Sequence, residues 1–385
     1  MAASVDWSSL PSDLVNRIAD CLLATNDVDY YTDLRAVCSS WRSAAADAMN
    51  NPDPCFHPMQ WIVIDEVSHS LDVKRGTRLL VNKTTGRFLR KDLPMLRRYY
   101  VITTGPDGFF VLADREPPHA VCILNPFTGY LLRFMTPMVD FAVDSAAIHG
   151  WEEGPLLLIL FCDSCRKLYI AHTDSECFYL LEEDKVAYTV FRLSIMVMTY
   201  NGHVSTKIRD LLGLFGFHPS ELMSVYPSET GHASRCFIVE SAGKIQVIIK
   251  LQHSMEVFRW NTDRDGVFEP IKSIGNQAIF LGHRKCLSVN AAIFPSIDAN
   301  CIYYLKSLDP YDIYMYDLKD GKEERVSGAI TAVNCDFLSD AEPPFTIIQL
   351  LSSFTTNAWD SERKGHPDAD DYGLSSLFEE LEFGD

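Results

Sequence analysis

From residue 61 onward one pattern returns at a nearly regular interval, and it limits this chain to few folds. A strand-like run ends in Asn, Asp or His, a polar turn follows, usually with Gly, and a second run begins. The copies are NKTTGRFL at 82, NPFTGYLL at 125, HTDSECFYL at 172, NTDRDGVF at 261 and DLKDGKEE at 317. The steps between them are 43, 47, 89 and 56 residues. The 89 is close to two steps of about 45, the interval of repeats that hold several strands each, so one unit has lost its turn signature. Between the turns lie WIVIDEV, RLLVNKT, GFFVLAD, AVCILNP, RCFIVES, KIQVIIKL, MEVFRWN and DIYMYDL. These runs are short, rich in β-branched and aromatic residues, and closed by turn-formers, as strands are. Units of this kind bury their faces only by stacking on neighbours. The pattern therefore predicts a mainly β chain, with a β-propeller of about six blades over residues 57–357. A β-sandwich with long loops is the alternative, and the regular spacing favours the propeller. One helical insert is expected at STKIRDLLGLFG, residues 205–216, where the repeat signal is missing.

The first fifty residues follow a different period. In WSSLPSDLVNRIADCLL, Pro11 suits the first position of a helix, where its missing N–H costs nothing. Ser12 or Asp13 complements the free N–H groups. Leu14, Ile18 and Leu22 then recur at i, i+4 and i+8, with Val15 and Ala19 beside them. That is one apolar stripe on a helix, broken at Asn26 and Asp27. A second helix is expected through DVDYYTDLRAV, with Leu34 and Val37 on one side. A third is expected at WRSAAADAM, capped by Ser39 or Ser40. Three short helices hold little core of their own, and such a module completes its core against something else.

The order Trp7, Leu10-Pro11, Asp13-Leu14, Ile18, Leu22, Arg35, Val37-Cys38, Trp41-Arg42 closely resembles the F-box motif. In that family the module docks onto the Skp-family adaptor of a cullin-type ubiquitin ligase. The resemblance implies that Leu10, Pro11, Leu14, Ile18, Leu34, Val37, Cys38 and Trp41 supply the docking face or its support. It divides the chain into a short N-terminus (1–6), an F-box module (7–50), a propeller (57–357) and an acidic tail (358–385), which composition marks as disordered. The second half also resembles a family. NPFTG at 125–129, IFLGHRKCLSV at 279–289, NCIYYL at 300–305 and YMYDLKDG at 314–321 look like the KIB-type β-propeller of a large plant F-box group.

Charge narrows the partners. The formal net charge is −18, so the chain as a whole repels phosphate backbones, and nucleic acid is not an expected partner. Basic residues concentrate in one segment, however. Lys74, Arg75, Arg78, Lys83, Arg87, Arg90, Lys91, Arg97 and Arg98 stand there against the single acid Asp92. This segment is a candidate docking face for an acidic target, or simply the solvated face of a hairpin. The hydrophobic fraction of 47% with 22% charged residues fits an ordered globular chain. MAASVDWSSLPSDL has neither the basic nor the apolar region of a secretory leader. The longest clean apolar run, LLLILFC at 156–162, is far short of the ~20 residues of a membrane span. Eleven cysteines, an odd number in a long chain, fit reduced thiols. Cytosol and nucleus are the expected compartments.

Nothing in the sequence announces catalysis. There is no G-x-S-x-G, H-E-x-x-H, P-loop or G-x-G-x-x-G. Cys162, Cys165, His172 and Cys177 could make a zinc set by composition. If CDSC is a hairpin turn, though, His172 lies ~20 Å from it at the far end of the strands. Cys38 has no nearby His and fits as a small packing residue. The expectation is a non-enzyme with no metal and no cofactor: the substrate-recognition subunit of an SCF-type ligase. It would hold the adaptor, and through it a cullin, with its helices, and an unknown protein target with its propeller. An interaction scaffold outside any ligase and a propeller enzyme are the competing classes.

Overall fold

The structure, a computed structural model, describes residues 7–64, 76–105, 108–117, 119–137, 143, 145–149, 157–162, 167–175, 179–181, 235–251, 254–261, 267–282, 285–306, 312–329 and 345–356. Three helices come first: α1 (Ser12–Ala24), α2 (Val28–Ala36) and α3 (Ser39–Ala44). Pro11 stands one place before α1 as its cap residue, with Asp13 in the first turn. The cap of α3 is neither expected serine. Extended backbone at Cys38 lets its Sγ accept the Trp41 N–H at 3.4 Å.

All eight strand-like runs form strands, and together with the other described strands, twenty in all, they build five sheets. Sheet 1 holds β1 (Trp61–Ile64), β2 (Thr77–Asn82) and β3 (Phe88–Asp92). Sheet 2 holds β4 (Tyr99–Thr104), β5 (Phe110–Asp114), β6 (Ala120–Leu124) and β7 (Leu131–Pro137). Sheet 3 holds β8 (Ser145–His149), β9 (Leu157–Cys162), β10 (Lys167–His172) and β11 (Tyr179–Leu181). Sheet 4 holds β12 (Arg235–Ser241), β13 (Lys244–Lys250), β14 (Met255–Asn261) and β15 (Val267–Ile271). These four sheets are antiparallel meanders. Sheet 5 orders its strands β17 (Cys286–Asn290), β16 (Gln277–Leu281), β18 (Cys301–Lys306), β19 (Asp312–Asp317) and β20 (Lys322–Gly328), with β16 and β18 parallel. Sheets 2 to 5 are propeller-like blades, four in number, and sheet 1 is one strand shorter than the meander blades. The expected count of about six is not shown by the described residues. Residues 182–234, within the step of 89, lie outside them, as does the expected insert at 205–216.

In every sheet the repeated sequence turn joins the last two strands, which explains its regular spacing. Three copies share one geometry. Asn82 Oδ1 accepts the N–H of Thr84 and Thr85 at 2.8 and 3.0 Å. Asn125 Oδ1 accepts from Phe127 and Thr128 at 3.0 and 3.4 Å, and Asp317 Oδ1 from Lys319 at 2.7 Å. Four residues on, Gly86, Gly129 and Gly321 take φ of 69°, 71° and 64°, where a Cβ is strained.

Among the described residues, neighbouring sheets share apolar cores. One core joins sheets 2 and 3 through Val111, Ile123, Leu158 and Leu160. Another joins sheets 4 and 5 through Ile248, Val257, Ile279 and Ile302. A third joins sheet 1 to sheet 5, with Ile62, Ile64 and Leu79 against Phe280, Tyr303 and Ile313. The first sheet therefore meets the last.

A fourth helix, α4 (Ile347–Thr356), seals this junction. It packs on both β1 and β16, and Ile348, Leu351 and Phe354 belong to the shared core. Its end lies so close to Gly282 that a Cβ there would stand 1.9 Å from the Thr355 carbonyl oxygen. Beside it, buried Lys285 reaches from sheet 5 to sheet 2. Its Nζ donates to the Thr104 carbonyl at 2.7 Å and lies 5.0 Å from the centre of the Phe354 ring.

Two outcomes follow. Leu351 is fully buried at the seal, so Leu351→Ala lowers the unfolding free energy by about 3 kcal/mol in denaturant titration. Gly86 and Gly243 both have positive φ, but a Cβ at Gly86 meets Ile293 Cγ2 at 2.5 Å and one at Gly243 meets nothing within 4 Å. Gly243→Ala then costs about 1 kcal/mol, and Gly86→Ala about 2 to 4 kcal/mol, by the same measurement.

Candidate functional site

The helical module has two apolar faces. Val15 and Ala19 are one helical turn apart on α1 and fully or nearly buried, with Val28, Tyr31 and Leu34 of α2. They share a core with Trp61, Val63, Leu80, Leu112 and Phe127 of sheets 1 and 2. Leu14 and Ile18, each one residue earlier, point the other way. They stay 37% and 40% exposed, Val37 is 57% exposed and Trp7 63%. Pro11 is exposed as well. The stripe expected from Leu14, Ile18 and Leu22 is therefore mostly outward, and the residues beside it make the core.

The eight residues of the docking set fall into three classes. Pro11, Leu14, Ile18 and Val37 are open to a partner. Leu10, Cys38 and Trp41 are half-buried supports. Trp41 Nε1 donates to the Trp7 carbonyl at 3.1 Å, which ties α3 to the segment before α1. Leu34 is inside the core shared with the sheets.

The module is also tied to the sheets by polar groups. Asn26 sits in the left-handed region at φ 55°, between α1 and α2. Its Nδ2 donates to the His57 carbonyl at 2.6 Å, its Oδ1 accepts the Gln60 N–H at 3.0 Å, and its carbonyl accepts Trp61 Nε1 at 2.8 Å. Two residues further, the acidic start of α2 meets the basic turn of sheet 1. Arg87 Nη1 lies 2.5 Å from Asp27 Oδ1, Arg87 Nη2 lies 2.6 Å from Asp29 Oδ2, and Lys91 Nζ lies 3.2 Å from Asp29 Oδ1. The Arg87 guanidinium also stacks 3.6 Å from the centre of the Tyr30 ring.

This clasp divides the basic segment. Arg87 and Lys91 serve an intramolecular contact, and Arg78 is buried in β2. Arg90, Arg97 and Arg98 are exposed, and Lys83 is half-buried. Lys74 and Arg75 lie outside the described residues. Sequence reading missed Asn26, Asp27, Asp29 and Tyr30 as contact residues. The available signal was the acidic run DVDYYTD facing an excess of base elsewhere in the chain.

Burial shifts two groups here. Desolvation raises the pKa of Asp27 above the usual carboxylate value, outweighing the opposing pull of Arg87. Desolvation also holds His57 below its ordinary value, although its Nε2 lies 3.2 Å from the Pro52 carbonyl, a contact that favours the charged ring. A histidine kept neutral in the fold leaves the unfolded chain with more protons in acid. Stability is therefore full above the ordinary value of 6.5 and falls as pH drops below it. Denaturant midpoints between pH 7.5 and pH 5 fall in the wild type, and less steeply in His57→Gln.

The CDSC segment joins β9 to β10, and the pairing places His172 opposite Leu157, at the end of the hairpin away from Cys162. Cys165 and Cys177 lie outside the described residues. Among the described residues no three His, Cys, Asp or Glu side chains gather as metal ligands, and no helix is long and apolar enough to cross a membrane.

Blade-like sheets in sequence order, the first packed against the last, define a β-propeller class with a helical module built onto it. The sequence pattern of the KIB1-4 beta-propeller family matches residues 80–318, and the chain belongs to that family. The match begins within β2 and ends just after β19, so the helical module, β1 and α4 lie outside it. No curated protein matches the chain. A solved structure from an analysis of two prolyl endopeptidases aligns with 70% of this chain and 33% of that chain, at 10% identity and a TM-score of 0.19. A likeness that low carries no argument.

Proposed function

We propose that this protein is the substrate-recognition subunit of an SCF-type ubiquitin ligase. Its helices 7–50 act as an F-box that grips a Skp-family adaptor, and through it a cullin. Its propeller holds a protein target. The observation that carries this reading is the outward strip of Trp7, Pro11, Leu14, Ile18 and Val37 on a module whose core is already complete. Large apolar side chains left in water beside a satisfied core mark a protein partner. Their order also matches the F-box motif, and the propeller belongs to a family that the sequence resemblance pairs with it. The chemistry is then left to other subunits, and this chain works by raising the local concentration of target near the ubiquitin-loaded enzyme. Cytosol and nucleus are the compartments this role requires.

Binding to purified Skp-family adaptor tests the reading. Wild type binds. Leu14→Asp and Ile18→Asp place a charge on an exposed strip, so they leave the thermal transition nearly unchanged and weaken binding by at least about a hundredfold, the effect of a charge in an apolar interface centre. Val15→Asp, one residue away, loses the folded helices instead. A folded wild type that does not bind the adaptor overturns the ligase reading and leaves the interaction scaffold.

A further inference from the structure

We infer that the contact between the start of α2 and the last turn of sheet 1 is an orientation lock, which fixes the pose of the helical module on the propeller. The consequence for adaptor presentation rests on the function proposed above; the lock itself does not.

The module is held by two kinds of force. The apolar core of Val15, Ala19, Tyr31 and Leu34 against Trp61, Leu80 and Phe127 supplies attraction. Apolar burial is non-directional, so such a core tolerates small rotations and slides. The polar set is directional. Arg87 uses separate nitrogens for two carboxylates, and a planar guanidinium offers those donors at fixed angles. Its flat face rests on Tyr30, and Lys91 takes the remaining side of Asp29. Two acids meet two bases, so the set is neutral as a whole. Asn26 adds bonds to His57, Gln60 and Trp61 from the same corner.

Energetics point to direction rather than strength. A buried ion pair often adds little net stability, because desolvation offsets attraction. At Asp27 burial raises the proton affinity more than Arg87 lowers it. What such a set does supply is a single geometry. A partner gripped on the outward strip is then carried at a fixed angle to the ring. Proximity catalysis depends on that angle, because the target must stay within reach of the transferred group.

The test uses the full chain and Arg87→Lys, which keeps the charge but cannot bridge two carboxylates from fixed directions. Hydrogen exchange is read at the amides of α2, with those of β5 and β13 as references. The expected result is exchange about tenfold faster in α2 with β5 and β13 unchanged, the mark of local rather than global opening. Unchanged exchange in α2 overturns the lock. Faster exchange everywhere also overturns it, because Arg87 would then serve general stability. Small-angle scattering of the complex with purified Skp-family adaptor reads the pose. One compact arrangement is expected for wild type and a broadened set for Arg87→Lys, at an adaptor affinity changed less than about twofold, since the lock and the strip are made of different residues. Identical scattering from the two complexes overturns the lock. If wild type does not bind adaptor, the ligase reading falls and the exchange measurement alone decides the lock.

Discussion

Each sheet of this chain has two faces to bury, and only a neighbouring sheet or helix can cover them. That constraint organises the molecule. The strands are short, and repeated units of this size gain much of their stability from the interfaces with their neighbours. Sheets 2 and 3 share a core, as do sheets 4 and 5, and sheet 1 is covered by sheet 5 on one side and by the helical module and sheet 2 on the other. The helices are thus part of the closure of the fold. Their inner face covers sheet 1 exactly where Trp61 and Leu80 would otherwise face water, and their outer face is left over.

The proposed adaptor strip depends on this division of labour. Were Leu14 and Ile18 needed for internal packing, they could not also serve a partner. Val15 and Ala19 release them. The same logic applies to charge: Arg87 and Lys91 are drawn inward by Asp27 and Asp29, which leaves Arg90, Arg97 and Arg98 as the exposed described arginines of the basic segment.

Much of the fold was legible in the sequence because its signals are local. The turn that repeats at Asn82, Asn125 and Asp317 needs an acceptor side chain and, four residues on, a glycine, and both are visible as letters. The helical period of α1 is equally local. What was not legible is which of two adjacent stripes turns inward, because that depends on where sheet 1 lies. Leu14 and Val15 look alike to any periodicity argument. The clasp was hidden for a similar reason: Asp29 and Arg87 are 58 residues apart and meet only after sheet 1 has formed. The cap of α3 fell to Cys38 rather than to a serine because the backbone becomes extended one residue earlier than the small residues suggest.

The position of α4 has a consequence for how the molecule is made. Synthesis delivers the N-terminus first, and units complete in sequence fold as they emerge. Among the described residues, the core shared by the helices with sheets 1 and 2 draws on none beyond Leu131, whereas the core that joins sheet 1 to sheet 5 waits for Phe354. The outward strip is therefore finished while more than half of the chain is still to be translated, and the ring stays open through that interval. During growth, the strip proposed to bind the adaptor is complete before the seal between the first and last sheets can form.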